Sequence, residues 1–153
     1  MILFRKIKTF IFLDKRKKNL LIEAYVFLAW ARILKSKQFS KVAPLLGTHM
    51  DETSFEHRPS DQTLLRNVSD AIYIMSDYTF WESKCLVKAI AGMKMLQRRH
   101  IESTLYLGTA KDETGIMIAH AWLRSGALYI TGAEEMRRFT IVGKFAKQIS
   151  DNG

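Results

Sequence analysis

Residues Gly115–Thr131 read GIMIAHAWLRSGALYIT, and this stretch decides the fold class. Two β-prone runs, Gly115–Arg124 and Ala127–Thr131, flank Ser125-Gly126, a composition that predicts a tight hairpin. Upstream, Ser103–Thr109 (STLYLGT) is a third β-like segment, with Leu105 and Leu107 on one face. Downstream, Phe139–Phe145 (FTIVGKF) predicts one more short strand. Before residue 100 the period changes from two to between three and four. Asp14 stands as a cap before a helix over about Lys15–Ser36, whose Leu20, Leu21, Ala24, Phe27, Leu28, Ala31 and Leu34 form one stripe. A short helix over Ile7–Ile11 precedes it, and another, Ser40–Leu46, ends at Gly47. Residues 48–60 (THMDETSFEHRPS) read as a polar loop, and Ser60 as the cap of a helix over about Asp61–Thr79. Leu86, Ala89, Ile90, Met93 and Leu96 mark a further helix from about Cys85 to the Arg98-Arg99-His100 cluster. Helices first and a small antiparallel sheet afterwards define the α+β class.

The 153 residues, 48% hydrophobic and 25% charged, fit one domain with a real core and exclude a disordered or low-complexity chain. One cysteine excludes a disulfide scaffold. The net charge of +9 is unevenly placed. Residues 1–41 hold eleven basic and two acidic residues, so this quarter accounts for all of it, while residues 42–153 hold thirteen of each sign. A basic helical region, 1–47, thus precedes a balanced body, 60–153. Such a region suits nucleic acid, an anionic membrane or an acidic protein surface. Its basic residues interrupt every apolar run, which argues against a signal peptide and against a membrane span. The expected compartment is the reducing cytoplasm.

Cys85 opens its helix, where the free N–H groups and the helix dipole favour thiolate, the reactive form. A cysteine filling core volume is the competing reading. Among the four histidines, His49 and His57 fall in the polar loop and His100 at a helix end. His120 alone lies within a strand, between Ala119 and Ala121 and on the face of Ile118 and Trp122. A helix-start cysteine followed by a sheet histidine suits thiol peptidase chemistry, in which the histidine takes the thiol proton and returns it to the leaving amine. Neither the cysteine nor the histidines show metal-ligand spacing, so no metal is expected.

Trp81-Glu82-Ser83-Lys84-Cys85-Leu86-Val87-Lys88-Ala89, then Arg98-Arg99-His100-Ile101 with Leu105-Tyr106-Leu107-Gly108, then Ala119-His120-Ala121-Trp122 and a glycine turn, resemble the transglutaminase/papain-like peptidase core. More narrowly, the chain resembles the stand-alone leader peptidase of lasso peptide biosynthesis, which opens with a basic, Leu-rich helical region like residues 1–47, closing on Leu45-Leu46-Gly47. The resemblance spans nearly the whole chain. It implies a cysteine protease acting in RiPP maturation, with Cys85 as nucleophile, His120 as general base and acid, and no cofactor. It implies as partners a leader–core precursor peptide, a separate small leader-binding protein (the RiPP recognition element) and a lasso cyclase, with no nucleic acid.

The third catalytic position departs from the family pattern. An Asp is usual on the strand after the histidine, whereas this chain reads Tyr129-Ile130-Thr131-Gly132-Ala133-Glu134-Glu135. Pairing Arg124 with Ala127 around the turn places Thr131 opposite His120, where its hydroxyl, or a water on it, orients the ring. Glu134 does so if the chain folds back after Gly132, and a backbone carbonyl is the remaining choice. Trp81, just before Cys85, and Trp122, beside His120, are the candidate substrate contacts, with packing as the other reading of Trp122. The N–H of Cys85 is the expected oxyanion donor. Two other function classes remain: a hydrolase or acyltransferase of the same fold on another substrate, and a non-enzymatic basic binding module.

Overall fold

The computed structural model describes residues 2–149. Five α-helices lie at Ile2–Ile11 (α1), Lys15–Lys35 (α2), Phe39–Val42 (α3), Gln62–Ser76 (α4) and Cys85–Gln97 (α5). Five strands lie at Thr48–His49 (β1), Ser103–Lys111 (β2), Met117–Ser125 (β3), Leu128–Thr131 (β4) and Thr140–Lys147 (β5). They form one antiparallel sheet in the order β1-β5-β2-β3-β4. The expected α+β class is therefore observed.

Helix α5 is the centre of the fold. Its sequence CLVKAIAGMKMLQ is apolar on nearly every side, and Val87, Ala89, Ile90, Ala91, Met93, Met95 and Leu96 are buried. A helix apolar all round must be covered on all sides. The sheet covers one side with Leu105, Ala121, Leu123, Ile130 and Phe145; α2 and α4 cover the others with Leu21, Ala24, Leu28, Leu65, Val68 and Ile72. Small residues set the spacing: a Cβ on Gly92 would stand 2.8 Å from a Leu123 methyl. Burying each large side chain here contributes about 1.5–3 kcal/mol. Glu23 on α2 grips Arg99 through two bonds of 2.7 and 2.6 Å and also pairs with Arg98, which fixes α2 on the C-terminal end of α5.

The opposite face of the sheet carries Thr104, Tyr106, His120, Trp122 and Arg124. Tyr106 stacks on Trp122 at 5.6 Å and Trp122 on His120 at 5.8 Å. The polar loop after β1 folds over this face. Arg124, 1% exposed, donates to the carbonyls of Thr53 (3.0 Å), Ser54 (2.9 Å) and Gly126 (2.8 Å) and to the Tyr106 hydroxyl (2.9 Å).

Five local expectations need correction. Thr48 and His49, read as loop, form a short edge strand on β5. Asp14 stands at the start of α2 but makes no side-chain capping bond, and α4 starts at Gln62 after a 3-10 turn over Pro59–Asp61, so Ser60 is not its cap. The hairpin turn is Gly126-Ala127, because Ser125 pairs with Leu128. An irregularity between Leu123 and Arg124 then sets Thr131 opposite Leu123, not opposite His120.

Candidate active site

Cys85 is the first residue of α5, half-buried against the core, with Lys84 before it in extended conformation. The segment leading into it is held by Thr79, whose hydroxyl bonds the Trp81 carbonyl (3.0 Å) and the Ser83 hydroxyl (2.8 Å). A first-turn residue has a backbone N–H with no helical acceptor, so the thiol lies beside free donors.

His120 comes from the middle of β3. Its strand neighbour on β2 is Gly108, which leaves room for Trp122 and Phe139. The ring lies 5.0 Å from Phe139 and 5.8 Å from Trp122, between centroids. Its Nε2 is 2.8 Å from the Gly132 carbonyl. A carbonyl only accepts, so in the neutral ring the proton sits on Nε2 and the lone pair on Nδ1. The neutral ring therefore keeps one unprotonated nitrogen, Nδ1, as any imidazole acting as a base must.

Cys85 and His120 line one cavity of about 290 Å³, together with Tyr73, Lys88, Thr131, Gly132, Glu134 and Glu135. The sequence reading did not find Tyr73, Lys88 or Glu135. Lys88 follows Cys85 by three residues on the same helix, a spacing that puts both on one face and was visible in the sequence. The Lys88 ammonium lies 4.9 Å over the Tyr73 ring. Tyr73 Oη donates to Glu134 Oε1 (2.7 Å) and accepts the Gly132 N–H (2.9 Å). Burial and the Glu134 carboxylate push the Tyr73 phenol up to about 12 against the opposing Gly132 bond, so it stays protonated. Burial raises the Glu134 carboxyl, but its own N–H, the Tyr73 hydroxyl, Lys88 and His120 together outweigh that and hold it below the usual range.

The ring is thus held by a backbone carbonyl. Thr131 lines the cavity, but its hydroxyl is buried with no hydrogen-bond partner. Glu134 reaches the cavity through the fold-back after Gly132, and its hydrogen bond goes to Tyr73. Neither candidate tryptophan lines the cavity. Trp122 is buried under His120 and Tyr106. Trp81 packs edge-on against Tyr25 (5.2 Å) and Phe80 (4.7 Å). His57 and His100 line a separate and larger cavity, of about 790 Å³, at the other end of α5, and His49 is exposed beside Phe145. Among the described residues no cluster of three or more His, Cys, Asp or Glu side chains is placed to hold a metal ion, and no helix is long and apolar enough to cross a membrane.

Gly132 is the pivot of this arrangement. Its φ is +77°, and a Cβ there would lie 2.5 Å from the Ala121 carbonyl oxygen and 2.8 Å from Trp122 Cβ. Gly132→Ala is expected to cost about 2 kcal/mol or more, from the left-handed backbone and the clash together. Chemical denaturation reads that loss, and an unchanged midpoint would mean the turn is free to re-form elsewhere.

A family model of the transglutaminase-like superfamily matches residues 26–144, from within α2 to within β5. No curated protein and no solved structure matches the chain.

Proposed function

Since the chain belongs to the transglutaminase-like superfamily, which includes cysteine peptidases, we propose that it is a thiol peptidase that removes the leader from a lasso peptide precursor. One observation carries the chemistry: Cys85, at a helix start, and His120, whose Nε2 is bonded to the Gly132 carbonyl, line the same cavity. The leader-peptidase assignment is supported by the ordered set of sequence motifs and by the basic helical region in front of them.

His120 Nδ1 takes the Sγ proton, and the thiolate attacks the carbonyl carbon of the last leader residue. The N–H of Cys85 stabilises the oxyanion. Collapse of the tetrahedral adduct breaks the C–N bond, and the imidazolium gives its proton to the departing core amine. The leader is then held as a thioester on Cys85. Water, losing a proton to His120, hydrolyses it, freeing the leader carboxylate and the thiol. Every step is a proton or acyl transfer, so no cofactor is needed.

The proposed partner is a separate leader-binding protein docked on the basic helices. Helix α1 buries none of its residues, and Leu3, Phe4, Ile7 and Ile11 leave its apolar face open. Among the described residues, no ion pair engages a basic residue of α1 or of Lys15–Lys18. The family match also begins after this segment. Reversing the charge of Lys15–Lys18 to Glu is expected to lower kcat/KM for presented precursor by roughly tenfold, through association, with the melting temperature unchanged. Equal rates for the variant, and rates flat across a salt series, would contradict this docking.

A further inference from the structure

We propose that Tyr73 and Glu134 are positioning residues that hold the Gly132 carbonyl against the His120 ring, in place of a side-chain carboxylate on the imidazole. The inference rests on the peptidase reading for what His120 does, and on three hydrogen bonds for how it is held.

Gly132 is gripped on both sides. Its carbonyl accepts from His120 Nε2 at 2.8 Å, and its N–H donates to Tyr73 Oη at 2.9 Å. Without a Cβ, such a residue has wide backbone freedom, and its carbonyl direction must be fixed from outside. Tyr73 fixes it from α4, and α4 is itself tied to β4 by the Ser69 hydroxyl on the Ile130 carbonyl at 2.6 Å. The direction of every bond in the chain is determined. A carboxylate only accepts, so the Tyr73 hydroxyl gives its proton to Glu134 at 2.7 Å and offers its lone pair to Gly132. Glu134 also ties the segment after Gly132 back to α4, which keeps Gly132 over β3.

The charged groups around this chain keep it in that state. Lys88 on α5 faces the Tyr73 ring and acts on Glu134, His120 on β3 also acts on Glu134, and Glu135 lines the same cavity. The phenol stays neutral and the Glu134 carboxyl is favoured as carboxylate.

The test compares wild type with Tyr73→Phe, Glu134→Ala and Glu134→Gln. The first readout is the ring ¹⁵N spectrum of His120 in the folded chain, which needs no substrate. Wild type is expected as the Nε2–H tautomer. Tyr73→Phe and Glu134→Ala should mix the tautomers, and Glu134→Gln, which still accepts from Tyr73, should restore the wild-type pattern. The second readout is cleavage of a candidate lasso precursor peptide, presented by a leader-binding protein. Tyr73→Phe and Glu134→Ala should lower kcat by about 10- to 100-fold, as loss of an orienting group does, with KM within about twofold. Unmixed tautomers and wild-type kcat in both variants, while Cys85→Ala abolishes cleavage, would overturn the positioning role and leave the peptidase reading intact. Mixed tautomers in a chain whose wild type cleaves nothing would support the positioning role and overturn the peptidase reading. Glu134 is exposed, so Glu134→Ala keeps the test valid if Tyr73→Phe does not fold.

Discussion

Replacing Arg124 with methionine is expected to lower the unfolding free energy by about 3–5 kcal/mol, the scale for leaving several buried acceptors without their donor. Arg124 is 1% exposed, and its guanidinium lies 3.7 Å from the Phe55 ring centroid. No carboxylate pairs with it among the described residues. Three carbonyls and the Tyr106 hydroxyl take that place. Burying a charge is costly, and here the cost is offset by a full set of charge-assisted bonds and the aromatic face. Methionine keeps most of the volume but leaves the Thr53, Ser54 and Gly126 carbonyls without their donor, at about 1–3 kcal/mol each before water returns to them. Lysine keeps the charge but cannot reproduce the planar fork, so Arg124→Lys should fall between. Denaturant midpoints at constant m read the effect. A loss below about 1 kcal/mol for Arg124→Met would mean that the loop over residues 51–58 is held mainly by other contacts.

On the proposed peptidase reading, His120→Ala is expected to slow leader release by about 10²- to 10⁴-fold, the usual contribution of a general acid–base group. The change should fall on kcat, because the ring acts on protons in the transition state. The matched controls are His57→Ala and His100→Ala, whose side chains line the cavity at the far end of α5. They should cleave at the wild-type rate. A loss in either control equal to that of His120→Ala would move the chemistry to the larger cavity. Cavity size alone favours that cavity, but it holds no cysteine, and the chain has one.

The hairpin was legible from the two-residue alternation of its long strand, and the central helix from an apolar run too long for a strand. Met117–Ser125 alternates around Ala121 and Leu123, and Cys85–Gln97 is apolar over more than three turns. The register after the turn was not legible. Leu128, Tyr129, Ile130 and Thr131 are all good strand formers, so nothing in their composition marks the irregularity that shifts Thr131 to Leu123. Thr48 and His49 were missed as a strand because two residues have no period. Cys85 and His120 could be picked out as residue types in telling local settings. Tyr73 could not: it sits in an ordinary amphipathic helix, and its partners Gly132 and Glu134 lie about sixty residues away in sequence. Arg124 shows the same limit. Alternation assigns it to the outer face of the sheet, and only the folded loop over residues 51–58 makes that face an interior.

The most direct test of the proposed function is mass spectrometry of a candidate lasso precursor peptide after incubation with a leader-binding protein and either wild type or Cys85→Ala. A single cut at the leader–core junction, made by wild type and absent with Cys85→Ala, is the predicted result. A cut that persists with Cys85→Ala, or an intact peptide with folded wild type and bound leader, would contradict the assignment of a thiol leader peptidase to this site.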